Sequence, residues 1–505
     1  MANLIIKNTA ANMATKIWTI MSMYLFVPVW IHFLGVEGYG VISFYTIMMT
    51  LMFFADAGLT ATLTREFARG DKDEQYRRDL LKTIEMIYLG IASVLFLTVF
   101  TLSGFIVSHF LKSNMFSYEE LRICVQIMGL TMAVHFMFSL YCGGLLGLQK
   151  QVLVNIVNIG YSVSRSAIVV VPLLISPTLL SFFIWQLMSI IISLIIVRYF
   201  LIQSITLQGF RSAFQTKLLL SIWKFAFGMM LMAIISGLNT QLDKIVTGNV
   251  LSLRDMGYYS LASTIGITVI SISQPLGVAF YPELTRLLSC DKQKMEEILL
   301  LFTYVVSAIS VTVGFTLFFY VDEFTFFWTH DPSIVQAVRV PARLLIIGNI
   351  LQSFQLAPYY LALANGHTKT NVKIGMAMLV FMIPLVYLFT KEWGLKGTAI
   401  PYVVINICAT IYLSTSIFRR YFIGKLFVWL KNILLPLGLI SSILLIPYLA
   451  IRLIATHGNE VLLLSIGVSF GFLGLYLSMG LLTRINPNAI EYVPVKYRKW
   501  FFVKE

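Results

Sequence analysis

Arg165 stands where a guanidinium is costly. It lies within the apolar run 152–175, in the string Tyr161-Ser162-Val163-Ser164-Arg165-Ser166, with only hydroxyl side chains for polar company. A helix rises about 1.5 Å per residue, which puts Arg165 about 18 Å into a layer about 30 Å thick. An arginine at that depth costs at least about 2.5–3.5 kcal/mol on insertion scales. Its side chain reaches only about 6–7 Å, too short to return the charge to water from there. The group therefore needs a water-filled cavity, an internal partner, or an anionic cargo. A cavity-facing functional arginine and a structurally paired one both fit this position.

Other charges fall in or beside apolar runs. Arg339 and Arg343 are four apart and share one helix face. Two guanidinium groups on one face suit a phosphate or pyrophosphate, which arginine binds bidentately, and they suit anchoring to lipid headgroups equally well. Asp243 and Lys244 close the expected span 221–242. Adjacent helical residues do not face each other, so one of the two points elsewhere. Lys244 is thus a candidate for a cargo cavity, and Asp243 for ion coupling or gating. Asp56, in Phe54-Ala55-Asp56-Ala57-Gly58-Leu59, has two readings. An intramembrane carboxylate can be a proton or sodium site, and it can equally cap a helix broken beside Gly58. Lys16 and Glu85 lie near enough to the cytoplasmic boundary to snorkel.

Catalytic machinery is not legible. GxGxxG, the phosphate-loop pattern GxxxxGK[ST] and HExxH are all absent, and the histidines are scattered. Cys124, Cys142, Cys290 and Cys408 show no CxxC spacing and read as small hydrophobes. The chain is expected to be no enzyme and to bind no metal and no cofactor.

The elements that position these residues are membrane helices. Hydrophobic residues are 58% of the chain and charged residues 12%, with a mean hydropathy of +0.84; a soluble domain carries roughly a quarter charged residues. Hydropathy predicts about fourteen helices, at 14–34, 41–63, 83–107, 122–148, 152–175, 178–198, 221–242, 257–281, 298–320, 338–364, 374–390, 398–418, 432–454 and 461–483. The polar stretches between them leave no room for a soluble catalytic domain. The first run lacks a small-residue cleavage site and reads as a retained helix. Gly143 and Gly147 form a GxxxG pattern suited to close helix packing.

Lys and Arg collect in alternate loops, as in Arg65-Arg69-Lys72-Arg77-Arg78-Lys82 and Arg419-Arg420-Lys425-Lys431. The roughly threefold bias sets both termini in the cytoplasm. The net charge of +14 belongs to these loops and does not imply nucleic acid.

A repeat is visible. Leu34-Gly35-Val36-Glu37-Gly38-Tyr39 precedes one helix, and Leu253-Arg254-Asp255-Met256-Gly257-Tyr258 precedes another about 220 residues later. Arg198-Tyr199-Phe200 and Arg420-Tyr421-Phe422 close helices at nearly the same offset. Six helices per copy preserve orientation. The expected fold is an all-α polytopic membrane protein of two six-helix bundles, 1–210 and 211–425, related by a parallel pseudo-twofold. An appended pair of helices and a cytoplasmic tail occupy 426–505. Cargo is expected between the halves.

Leu34-Gly-Val-Glu-Gly-Tyr-Gly40, with Asp56-Ala-Gly-Leu59 running into Arg65-Glu-Phe-Ala68, resembles the first helices of bacterial Wzx-type polysaccharide-unit flippases. Leu242-Asp-Lys-Ile245 and Met256-Gly-Tyr-Tyr-Ser-Leu-Ala262 resemble the start of their second half. These proteins belong to the multidrug/oligosaccharidyl-lipid/polysaccharide exporter superfamily, and the resemblance spans roughly residues 1–420. It implies alternating access around a central cavity, with Gly38, Tyr39, Gly257 and Tyr258 shaping the gates. It implies an undecaprenyl-pyrophosphate-linked glycan as cargo, moved to the outer leaflet of a bacterial inner membrane for O-antigen, capsule or exopolysaccharide synthesis. Coupling to a proton or sodium gradient follows for many members, as does work beside a polysaccharide polymerase and a chain-length regulator. Most such flippases have twelve helices, and the additional pair is similar to that of lipid II flippases. A cation-coupled multidrug exporter of the same superfamily is the other alternative, although its cationic cargo would favour cavity carboxylates.

Overall fold

Backbone polar groups inside a bilayer must be satisfied within their own segment, which restricts this chain to helices. The computed structural model describes residues 2–52, 56, 58–69, 74–205, 237–238, 240–366, 368–422, 424–454 and 460–485. Among them the chain is helical with short turns and no strand. The described residues hold 12 helices long and apolar enough to cross a membrane. Most of the expected span 221–242 lies outside the described residues, as does the expected boundary at 210.

The chain divides into two compact units, Met1–Gly257 and Tyr258–Glu505. The first unit begins with α1 (Ala2–Met52), two helices that meet at a kink and match two expected spans. The connector expected between them is a single kinked residue, Gly35, at φ 71° and ψ 175°. This backbone region is essentially reserved for glycine, so one residue absorbs the whole bend. Within the second expected span Gly58 is left-handed, and α2 (Leu59–Ala68) starts behind it.

Then come α3 (Glu74–Phe110), α4 (Tyr118–Gly147) and α5 (Gln151–Val163), followed by a π-helical turn (Ser164–Ile168), α6 (Val170–Ile175) and α7 (Leu179–Ser204). Helical residues 240–250 form α8. The core gathers on α4, where Phe136, Leu140 and Leu145 are fully buried. Its GxxxG faces α2. A Cβ on Gly147 would lie 2.6 Å from both the Thr64 carbonyl oxygen and the Phe67 Cβ. The Thr64 hydroxyl donates to the Gly143 carbonyl at 2.9 Å.

The second unit holds most of α9 (Leu253–Cys290), then α10 (Lys292–Phe319), α11 (Val321–Thr329), α12 (Pro332–Phe354) and α13 (Leu356–Ala364). It ends with α14 (Thr368–Thr398), α15 (Ile400–Tyr421), α16 (Leu426–Ile454) and α17 (Glu460–Ile485). The short α11 escaped the hydropathy reading because nine residues cannot span a bilayer. The expected span 338–364 breaks at Gln355, whose side chain donates to Asn406 Oδ1 and Thr410 Oγ1 on α15, each at 3.1 Å. The last two helices pack inside this unit: Tyr304 of α10 donates to the Ser478 carbonyl at 2.7 Å, and Trp429 is buried against Phe418. Exposed apolar residues such as Leu97 and Phe105 on α3, and Val380 and Phe381 on α14, suit contact with lipid.

Candidate functional site

Arg165 sits in the widened π-helical turn. Local insertions of this kind often occur at functional positions. The helical run Gln151–Ile175 places it about 21 Å from one end and about 15 Å from the other. Widening a turn loosens backbone acceptors, and α7 takes them up. Trp185 Nε1 donates to the Ser164 carbonyl at 2.9 Å, and Gln186 Nε2 to the Arg165 carbonyl at 2.9 Å. A hydroxyl pair, Ser164 with Ser189 at 2.8 Å, adds a third tie.

The guanidinium lies 5.6 Å from the centroid of the Tyr161 ring, a cation–π contact one helical turn away. No ion pair among the described residues includes Arg165. Tyr161 packs in turn against His135 and Phe138, with ring centroids 5.7 and 5.8 Å away. Tyr45 and His135 lie within electrostatic reach of the guanidinium. The buried hydroxyls of Tyr45 and Tyr161 have no hydrogen-bond partner among the described residues. Arg165 thus has no acidic partner among the described residues, and the Tyr161 ring beside it carries a hydroxyl free to donate. Sequence reasoning found Arg165 and missed Tyr45 and His135, which are far apart in the chain. The four-residue spacing from Tyr161 to Arg165 was the available signal for the ring contact.

Arg339 and Arg343 do share a face, but it is occupied. Asp322 on α11 pairs with Arg339 at 2.8 Å and with Arg343 at 3.8 Å. Arg343 also donates to the Phe318 carbonyl at 3.1 Å. One carboxylate therefore offsets half of the charge expected of this pair.

Asp243 and Lys244 lie within α8 and not at its end, because the apolar Ile245-Val246 continues the helix. Asp243 is buried, and its carboxylate accepts the Lys244 backbone N–H at 2.9 Å. Lys244 lines a cavity whose other lining among the described residues is apolar and does not include Arg165.

Asp56 receives the Thr60 hydroxyl at 2.6 Å, the Thr60 N–H at 3.3 Å and the Tyr88 hydroxyl. It thereby caps the start of α2 beside Gly58. Glu85 lies one turn before Tyr88 on α3. It accepts from Tyr141 and pairs with Arg198 at 3.5 Å.

The two repeated motifs meet. The Gly40 backbone rests on the Leu253 carbonyl, and Gly257 on the Val36 carbonyl, so a side chain at either glycine would collide with backbone. Gly38 is packed among Leu34, Leu179 and Phe116, and Tyr39 and Tyr258 are both buried. The loop between α3 and α4 seals the contact. Glu37 accepts from Ser113 Oγ at 2.6 Å and from the Asn114 and Met115 N–H groups at 3.2 Å. Lys112 donates to the Asn249 carbonyl at 3.0 Å and accepts the Leu253 N–H at 3.1 Å. Glu37 was read only as part of the repeated motif and Lys112 only as a loop charge, because charges in loops are common.

Many apolar spans, short turns and a mid-span cation with no acidic partner among the described residues mark a multi-pass membrane protein. A family described as polysaccharide biosynthesis protein matches residues 5–288, more than half of the sequence. The chain belongs to that family, which bears out the resemblance drawn from its motifs. A Shigella flexneri protein named as an O-antigen transporter is 24% identical over 380 residues, covering 73% of this chain and 86% of the relative. Among solved structures, the lipid II flippase MurJ in an inward closed conformation matches at TM-score 0.72 and 16% identity, over 95% of this chain and 99% of that one. An inward-facing MATE family multidrug resistance transporter of the MOP superfamily matches at TM-score 0.65 and 14% identity, over 82% and 98%. At these identities the two structures speak for the fold alone.

Proposed function

We propose that this protein is a flippase carrying undecaprenyl-pyrophosphate-linked oligosaccharide repeat units from the cytoplasmic to the periplasmic leaflet of a bacterial inner membrane. The observation that carries the reading is Arg165, half-buried at mid-span with no acidic partner among the described residues. A pyrophosphate headgroup supplies the missing counter-charge, and the Tyr45 and Tyr161 hydroxyls can donate to its oxygens or to sugar hydroxyls. A cationic drug would meet repulsion there, which disfavours a multidrug exporter. The polyprenyl tail stays in lipid while the headgroup crosses. Alternating access then exposes the site to each side in turn, with the contact between the two repeated motifs opening toward the periplasm and a proton or sodium gradient biasing the cycle. Both termini lie in the cytoplasm in this scheme, and a polymerase with its chain-length regulator receives the exported unit.

The test is complementation of a deletion strain. Arg165→Ala protein should insert at normal levels yet leave no surface polysaccharide, with partial return in Arg165→Lys. Normal polysaccharide in the alanine variant refutes the reading. A deletion that blocks growth and cell-wall synthesis, with surface glycan otherwise intact, would assign lipid II as the cargo.

A further inference from the structure

The second unit carries a groove of its own between α14 and α15. These helices fold back on each other at the Gly394 kink, where the Thr390 and Thr398 hydroxyls meet at 3.1 Å. Short side chains leave the space: Ala377 on α14, and Cys408 and Ala409 on α15. The groove measures about 510 Å³, and the exposed Phe381 and Val404 continue its apolar lining. Among the described residues, Lys373 is the only charged side chain lining it. Lys373 and Tyr412 stand far from the kink along their helices, whereas Leu385 and Val404 stand near it. The polar groups of the lining therefore gather at one end, the end at which Arg419 and Arg420 close α15. None of the ion pairs among the described residues includes Lys373.

We propose that this groove holds one acyl chain of an anionic membrane phospholipid, with Lys373 on the headgroup phosphate. The length fits. From Lys373 to Leu385 the helix rises about 18 Å, close to half of a hydrocarbon layer about 30 Å thick, which is the depth of one leaflet. The volume fits as well. It equals that of about seventeen water molecules at roughly 30 Å³ each, and a methylene group is about the size of a water, so one fatty chain fills it. An undecaprenyl chain far exceeds this volume, which favours a resident phospholipid over the cargo carrier.

The charge selects among phospholipids. An apolar groove alone admits any fatty chain, but a basic group between membrane helices holds an anionic headgroup. Lysine suits this place, because its stem lies along apolar surface while its ammonium stays at the headgroup level. Tyr412, exposed at the same end, is amphipathic in the same sense. No acidic side chain of the described lining opposes the phosphate. The bound lipid bridges α14 and α15 and becomes a fixed neighbour of the second unit, in the leaflet on the side of Arg419 and Arg420.

The experiment titrates the detergent-solubilised full-length protein with phosphatidylglycerol, phosphatidylcholine or undecaprenyl phosphate and counts bound lipid by native mass spectrometry. Phosphatidylglycerol should bind about fivefold more tightly than phosphatidylcholine, the effect of one lysine beside an anionic headgroup. Lys373→Gln, at an exposed position, should bring it down to the phosphatidylcholine level, and Lys373→Arg should keep the preference. Val404→Trp, which fills the groove from α15, should abolish the preference with Lys373 intact. Cys408 reports the place. In a Cys290→Ser background it is the one exposed thiol among the described residues, since Cys124 and Cys142 are buried. Phosphatidylglycerol should slow its modification by a maleimide, and should fail to do so in Lys373→Gln. Equal binding of the two phospholipids to wild type overturns the proposal, as does an unchanged preference in Lys373→Gln. Stronger protection of Cys408 by undecaprenyl phosphate than by phosphatidylglycerol also overturns it, and would assign the groove to the carrier. Binding is read without transport, so failure here is separable from failure of the Arg165 complementation.

Discussion

Replacing Arg165 by methionine should make the protein more stable and useless. The guanidinium is held near mid-span, where a charge costs about 2.5–3.5 kcal/mol. The one attraction found for it is the Tyr161 ring at 5.6 Å, a contact of about 0.5–2 kcal/mol. Methionine fills a similar volume without charge, so the difference predicts a gain of about 0.5–3 kcal/mol. A paired arginine predicts the opposite sign, because removing one partner of a buried ion pair costs about 3–5 kcal/mol. Heating the detergent-solubilised protein and following the monodisperse fraction by size exclusion reads the sign directly. Arg165→Met should survive to higher temperature than wild type while failing to restore surface polysaccharide. A lower midpoint would mean that the guanidinium neutralises a buried carboxylate, and the argument from an uncompensated cation would collapse.

Three further substitutions test the surrounding assignments. Asp56→Asn keeps an acceptor toward Thr60 and should fold and export normally, while Asp56→Ala should lose about 1–2 kcal/mol as a deleted helix cap; export abolished in a well-folded Asn variant would instead mark an ion site. Asp322→Ala leaves Arg339 and Arg343 facing each other across one turn and should lower thermal stability by about 1–2 kcal/mol, whereas Arg339→Gln, at a half-exposed position, should cost under about 1 kcal/mol. Gly35→Ala forces a Cβ into φ 71°, ψ 175° and should cost about 1–3 kcal/mol, read as a lower unfolding midpoint. An unchanged midpoint would show that the helix can straighten there.

Hydropathy, charge bias and depth are properties of short segments, and these were legible from residues alone. A bilayer demands that each span close its own hydrogen bonds, so span number and the cost of a charge at Arg165 follow locally. The repeated Gly-Tyr motifs were also visible as spelling. Their meeting, Gly40 on Leu253 and Gly257 on Val36, was not, since adjacency is decided by packing. Residues 35–40 read as a connector between the spans 14–34 and 41–63, and tertiary structure narrowed the break between the two helices to one residue, Gly35. The pairing of Arg339 and Arg343 depended on Asp322, which the unforeseen turn into α11 carries to them. The contrast between Arg165 and that pair is the clearest case. Sequence showed three arginines in apolar surroundings, and tertiary structure alone decided which had a carboxylate opposite, because charge compensation depends on which helix faces meet.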